Sequence, residues 1–525
     1  LLKVIFPSLL YIGPGRRGFP IPCPQCKLNA SWWTGFWSHK YTDWDQIHSP
    51  SPQGECLTTA LTLDWKRFSS EQITDFCKME ADALREFSDL PTTTNMMGFF
   101  KGVDYNTLKN AVDIISWDNY PFWHERKDEV PEAVYTSAGN ALMRSLKREP
   151  FLLMESTPSS VSWRSHNPLK RPGMHMLSSM QAVAHGADSV QYFQWRKSRG
   201  GYEKFHGAVV DHKNGSDTRT FREVTEVGKR LEHLSGGIKT FLNRAKAAIV
   251  FDWENWWAVE DTSGPRQDLD YVKCVTDHYR AFWECGLDVD FVSMDDDFSG
   301  YRLLAAPLNY MYKKGYSEKV RAFVEAGGTY VTTYFSGIVN ETDLCFIGRH
   351  PLEDVLGVVS EEMDAPSKEF ENCFDYNGKE YPAYTMCDIV HAKAKTEIYS
   401  VYKKDFYKGC PVVTENAYGS GRAYYLSAES DQRFLSAFYK DVFIKAGLLK
   451  EASSADRILK RLPHGVTAAK REDETGRKGL VFVMNFNDRQ VRLEGIGKQI
   501  DAESGEVYEN VLEMAPFSCT ILKLK

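Results

Sequence analysis

The 525-residue chain has no basic excess: 64 Lys and Arg against 71 Asp and Glu leave a formal charge of −7. Nothing therefore draws it over long range to phosphate backbones or anionic lipid, and neither nucleic acid nor a membrane is an expected partner. A long hydrophobic run is also missing. The most apolar stretch near the start, residues 1–13, is broken by Lys3, Pro7 and Ser8. It falls short of the roughly 20 residues of a membrane span, and no small-residue cleavage site follows it as in a secretory signal. The 11 cysteines are odd in number and scattered, unlike a paired disulfide framework, so a reducing, cytoplasmic compartment is expected. No G-x-G-x-x-G follows a strand pattern, which removes the main sign of dinucleotide binding. There is no internal repeat and no low-complexity tract, and no tryptophan after Trp283. The first residue is Leu1 rather than Met, and the natural start is expected upstream.

What is present is an ordinary globular composition, 42% apolar and 26% charged, long enough for about three domains. The 13 tryptophans run from Trp32 to Trp283, as a stacking surface or a large aromatic core would require. Between residues 69 and 235 short apolar runs (93–97, 113–117, 151–155, 189–195) alternate with stretches of helical period (69–87, 130–147, 173–185, 218–234), with Ser69 read as an N-cap and Gln72 completing its capping box. Repeated βα units predict an α/β fold with a parallel sheet or barrel, whose chemistry sits on the polar residues following each strand. These are Asp118-Asn119-Tyr120, Glu155-Ser156-Thr157 and Arg196. From about residue 244 a second αβ unit, a doubly wound sheet, is predicted from strands 247–251, 287–293, 303–307 and 329–333 with helices 271–285 and 317–326. Gly327-Gly328 reads as a helix stop. After residue 448 short strands (479–485, 490–493, 518–524) predict a small antiparallel β-sandwich. The domain boundaries are placed at 1–240, 241–447 and 448–525.

The strongest chemical feature is Leu152-Leu153-Met154-Glu155-Ser156-Thr157-Pro158, an apolar strand that delivers one carboxylate at its C-terminal end. Glu155 either faces a pocket or pairs with an arginine at the rim. Trp163, Phe193, Glu203 and His206 follow, a mix of aromatic faces and polar groups that matches a sugar, whose C–H faces stack on rings while its hydroxyls take charge-assisted hydrogen bonds. Glycoside hydrolysis uses two carboxylates, about 5 Å apart in retaining enzymes, and Glu155 is a candidate for one.

The runs Thr34-Gly35-Phe36-Trp37-Ser38, Ser116-Trp117-Asp118-Asn119-Tyr120-Pro121, Met154-Glu155-Ser156-Thr157-Pro158, Val161-Ser162-Trp163 and Gln194-Trp195-Arg196, with residues 203–206, resemble the family-42 glycoside hydrolases, bacterial β-galactosidases. The resemblance extends from about Cys23 to the C-terminus. It implies a (β/α)8 barrel, then a doubly wound trimerisation domain with a glutamine-amidotransferase-like fold, then a small β domain. It makes Glu155 the nucleophile at the end of the seventh barrel strand, which puts 93–97 and 113–117 at the fifth and sixth. Trp37, Trp163 and Phe193 would shape the sugar subsite, while Glu203 and His206 would bond galactose hydroxyls. The implied reaction is retaining double displacement on small galactosides by a homotrimer that needs no cofactor for catalysis.

The chain departs from that pattern near its start. The family's general acid/base is a Glu preceded by Asn, shortly before a C-x-C-x-x-C cluster. Here Cys23-Pro24-Gln25-Cys26 matches the end of the cluster, Ile21 stands at its first position, and no Glu precedes Glu55 and no Asn precedes Asn29. The first three barrel strands also have no counterpart. The chain is therefore expected to be an N-terminally truncated or misassembled copy, the C-terminal half of a barrel, whose first 20 or so residues are out of frame; a divergent start is the alternative. Cys23 and Cys26 are the candidate zinc ligands, but structural zinc wants four donors and the site is read as lost. Without the acid, natural substrates should react about 10²- to 10⁴-fold more slowly. The competing reading is a non-catalytic remnant that binds galactosides or associates with other subunits. Amidotransferase chemistry is set aside, since Cys274 and Cys285 fall on a predicted helix rather than on a strand-to-helix elbow.

Overall fold

Five strands form a parallel sheet in sequence order: β1 (Leu2–Val4), β2 (Thr92–Met96), β3 (Ser116–Asp118), β4 (Phe151–Glu155) and β5 (Ala187–Val190). The structure is a computed structural model that describes residues 2–4, 48–51, 58–238, 241–449 and 462–524. Helices Thr59–Arg85, Val130–Lys147, Met174–Ala184 and Arg219–Ile238 alternate with these strands. Helix Val130–Lys147 begins with Pro131 and Glu132 and ends with Arg144 and Lys147, an order that suits both the missing proline N–H and the helix dipole. It packs through Gly139, where a β-carbon would come within 2.8 Å of the Trp117 ring. Gly98, at φ +63°, meets the same ring from the end of β2 at 2.8 Å. Trp117 thus fills the seam between strand and helix, while Ser116 and Asp118 turn the other way.

Two local expectations fail. Ser69 is not a cap: the helix already runs from Thr59, and the neighbouring Ser70 is buried and accepts from the Asp104 amide at 2.9 Å. The strand expected over 189–195 ends at Val190, because the chain beyond it pairs elsewhere, with Val210 donating to Trp195 O at 2.7 Å and Lys197 to Val210 O at 3.0 Å.

The second sheet has seven strands. β6 (Ala247–Val250), β7 (Val289–Val292) and β8 (Leu303–Ala306) run parallel with Thr329–Thr333 and Gly421–Leu426. Pro411–Tyr418 and Glu397–Val401 extend the sheet antiparallel at one edge. Successive residues of β6 and β8 divide between two cores: Ala247, Ile249, Leu303 and Ala305 go to one, Ala248, Val250, Leu304 and Ala306 to the other. Both faces are therefore covered, which is why these strands are apolar throughout. Helix Trp253–Asp261, not anticipated from the sequence, ties this sheet to the first. Trp253 and Trp257 donate their indole N–H to the carbonyls of Phe100 and Lys101 at 2.9 and 2.7 Å. Lys101 pairs with Glu260 at 2.7 Å, Lys66 with Asp261 and Arg67 with Glu254.

At the C-terminus Val466–Glu472, Gly479–Asn485 and Ser518–Leu524 form an antiparallel sheet, accompanied by two short strand pairs. Its seam with the first sheet holds the fully buried Arg471, which donates to Phe241 O at 2.9 Å, to Val183 O and Ala187 O at 3.2 Å each, and to Asp188 Oδ1 at 3.0 Å. Among the described residues no helix is long and apolar enough to cross a membrane.

Candidate active site

The parallel strands of the first sheet bring their C-terminal ends to one rim, where Asn95 of β2, Asp118 of β3 and Glu155 of β4 converge. The Asn119 amide donates to Glu155 O at 2.9 Å and fixes the two strand ends side by side. Among the described residues, Asn95 Nδ2 at 3.0 Å from Oε1 and the Tyr120 hydroxyl at 2.8 Å from Oε2 both donate to the Glu155 carboxylate. Burial first, and then the charge of Glu155, push the Tyr120 hydroxyl far above its usual pKa, so it stays a donor. Asn95 Nδ2 also lies 2.6 and 2.7 Å from the two oxygens of Asp118. Two carboxylates that share one amide nitrogen in this way are at most about 6 Å apart.

An aromatic wall stands beside them. The Trp163 and His206 rings stack with centroids 5.0 Å apart, Tyr120 meets Trp163 edge-on at 5.0 Å, and Phe193 meets His206 edge-on at 5.2 Å. Trp163 remains 40% exposed, leaving ring surface for a ligand. His206 is buried and donates through Nε2 to Phe193 O at 3.1 Å, which makes Nδ1 an acceptor; Nδ1 is buried with no partner among the described residues. Burial lowers the pKa of His206, so the ring is neutral and suited to accept a hydroxyl. Glu203 is half-buried; its carbonyl accepts from the His206 amide at 2.9 Å, and its carboxylate lies close enough to act on Tyr120 and His206 electrostatically.

Glu155, Trp163, Phe193, Glu203 and His206 are thus gathered at one rim. Trp37, Cys23 and Cys26 lie outside the described residues. Among the described residues no three His, Cys, Asp or Glu side chains gather as a metal site would require. Cys274 and Cys285 lie on and at the end of helix Tyr271–Glu284. Asn95 was not singled out from the sequence, where it sits in a run of threonines that reads only as a polar strand.

Comparison with known proteins gives the site a lineage. The family model described as β-galactosidase matches residues 25–234, and the model of the β-galactosidase trimerisation domain matches residues 245–449. The β-galactosidase Pbg of Clostridium perfringens is 43% identical over 516 residues, 95% of this chain and 73% of that protein. BglY of Alicyclobacillus acidocaldarius is 46% identical over 474 residues, 88% of this chain and 67% of that one. The chain belongs to the family-42 glycoside hydrolases. Solved structures of the family agree. The cold-adapted β-galactosidase from Rahnella sp. R3 superposes with a TM-score of 0.88 at 45% identity, over 94% of this chain and 72% of its own. A family-42 β-galactosidase from G. stearothermophilus gives 0.87 at 40% identity, over 94% and 72%. The chain is thus a glycosidase by homology, with the barrel-type fold of its family, and it carries a match to the family's trimerisation domain.

Proposed function

We propose that the chain is a retaining β-galactosidase that removes terminal β-galactose from small galactosides by double displacement, with Glu155 as nucleophile. The observation that carries this is the Glu155 carboxylate at the end of β4, held by Asn95 and Tyr120 beside the stacked rings of Trp163 and His206. A carboxylate kept in place by these donors is aimed before substrate arrives, which is how orientation lowers the barrier to attack. Attack of Glu155 on the anomeric carbon releases the leaving group and forms a glycosyl ester; water then breaks that ester with net retention. Trp163, Phe193 and Trp37 shape the sugar subsite, and Glu203 and His206 hydrogen-bond its hydroxyls. The general acid/base is unassigned, since the sequence offers no Glu before Glu55. The family relatives named above are β-galactosidases, which supports galactose as the glycosyl unit.

In the same reading residues 1–240 are part of a (β/α)8 barrel, 241–447 a doubly wound trimerisation domain and 448–525 a small β-sandwich. The assembly is a homotrimer in the cytoplasm, and catalysis needs no cofactor. The second reading is a remnant that binds galactosides or joins subunits without turning them over.

The experiment is release of dinitrophenol from dinitrophenyl β-galactoside by the purified chain, with Glu155→Gln as control. That leaving group departs without protonation, so the assay reads the nucleophile whether or not an acid is present. A burst that depends on Glu155 supports the enzyme; release equal to the control favours the remnant.

A further inference from the structure

The amide of Asn95 does two things at once. Its nitrogen faces both oxygens of Asp118, at 2.6 and 2.7 Å, and Oε1 of Glu155 at 3.0 Å. Its oxygen is buried and accepts from nothing among the described residues. An asparagine side chain can be turned over at little steric cost, and what decides its orientation is the hydrogen-bond environment. Here that environment is two carboxylates on one side of the group, both acceptors. Turned over, Oδ1 would face both carboxylates and the amide would lose its hydrogen bonds to them, so electrostatics alone fixes the nitrogen toward them. Asp118 is the closer of the two and sits on the neighbouring strand, with Asp118 of β3 in register with Glu155 of β4.

We infer that Asp118 is a positioning residue: it acts through Asn95, locking the amide so that an N–H is presented to the Glu155 carboxylate. This rests on the reading of Glu155 as nucleophile. Asp118 does not touch the reacting atoms in this scheme. It determines which end of Asn95 faces the Glu155 carboxylate, which Tyr120 also holds. Replacing Asp118 with Asn removes the charge and keeps the shape. The Asn95 amide is then less firmly held, because an Asn at 118 can donate to Oδ1 as readily as accept from Nδ2, and only Glu155 still favours the nitrogen.

The test is a double-mutant cycle on the burst of dinitrophenol from dinitrophenyl β-galactoside, with Asp118→Asn, Asn95→Ala and the double variant in the full chain. A hydrogen bond to a charged group sets the scale. Asp118→Asn should slow the burst about 10- to 100-fold with the KM little changed. In the Asn95→Ala background the same substitution should cost less than about 3-fold, because the residue it acts through is gone. Equal losses in both backgrounds, or no loss in the parent, overturn the proposal, since a merely structural Asp118 would act with or without Asn95. A neutron crystal structure of the Asp118→Asn variant, which tells the amide nitrogen from its oxygen, decides the matter independently of activity. Expected is an Asn95 amide no longer held in one orientation, with Oδ1 toward Glu155 in part of the molecules; an Asn95 that donates to Oε1 throughout overturns it. If the parent chain shows no burst that depends on Glu155, the reading of Glu155 as nucleophile fails, and the crystallographic arm still decides whether Asp118 orients Asn95.

Discussion

Arg471 gives the sharpest test of how the C-terminal sheet is joined to the barrel strands. Its side chain is fully buried, and burial lowers the pKa of its guanidinium despite the partner Asp188. Consider Arg471→Met, which keeps the length of the side chain and removes charge and donors together. The Asp188 carboxylate is 39% exposed and rehydrates, so that bond counts for little. Val183 O keeps the Gly186 amide at 3.1 Å and loses only a second donor. The loss falls on the carbonyls of Phe241 and Ala187, and at about 1–2 kcal/mol for each bond removed the seam weakens by about 2–4 kcal/mol. The relief of no longer burying a cation offsets part of this and is the reason the figure stays below the 3–5 kcal/mol typical of breaking one partner out of a buried ion pair. Native-state hydrogen exchange over Val466–Glu472 and Ala187–Val190 reads the seam directly, without assuming that a chain of several units unfolds in one step. Protection should fall about 30- to 700-fold in both strands. Protection equal to or above that of the parent would refute the reasoning, for it would mean that apolar packing rather than directed donors holds the seam. Arg471→Lys separates charge from geometry: one ammonium cannot reach all four acceptors, so it should lose at least as much as Arg471→Met.

Tyr120→Phe keeps the edge contact with Trp163 and removes only the hydroxyl that donates to Glu155; with Glu155 in the proposed role the dinitrophenyl galactoside burst should slow about 10- to 150-fold, the worth of a hydrogen bond to a charged group, and a change under about 3-fold would remove Tyr120 from the hold on Glu155. Asp104 is buried beside Asp252, and burial above all raises its pKa from 3.8 to about 7. Because the folded state binds the extra proton between about 3.8 and 7, this group lowers stability as pH rises through that window, and its penalty is complete above it. Asp104→Asn, which can still accept from the Asn106 amide, should therefore match the parent in urea unfolding near pH 4 and exceed it at pH 8 by a few kcal/mol at most; an equal difference at both pH values would count against the assigned shift.

The elements whose limits were legible in the sequence are those with an unbroken apolar run and punctuation at both ends. β4, helix Val130–Lys147, Thr329–Thr333, Gly479–Asn485 and Ser518–Leu524 fall on the expected residues. Local signals misled where tertiary contacts took over. Ser69-Ser70 looks like a helix start, yet it is the interior of a longer helix whose serine hydroxyl serves Asp104. Helix Trp253–Asp261 carries apolar residues on several sides because it is wedged between two sheets, so no clean 3.6-residue stripe announces it. Strand Val358–Asp364 was missed for a different reason: it is almost wholly exposed, and an edge strand of charged residues has no alternation to read. At the rim, Glu155 was legible because an apolar strand ending in a carboxylate is unusual. Asn95 was not, since its role depends on Asp118 and Glu155 arriving from two other strands.

The indole bonds from helix Trp253–Asp261 reach further than the seam they close. Phe100 and Lys101, whose carbonyls they hold, lie only a short loop beyond Asn95, and the same loop is pinned where the Met97 amide donates to the Tyr105 hydroxyl at 2.9 Å, with Tyr105 packed on Trp253 at 5.1 Å. The unit matched by the trimerisation-domain model therefore has a mechanical grip on the strand end that carries Asn95. Whatever disturbs that helix is felt at the end of β2, so native-state hydrogen exchange should find Thr92–Met96 and Trp253–Asp261 losing protection together.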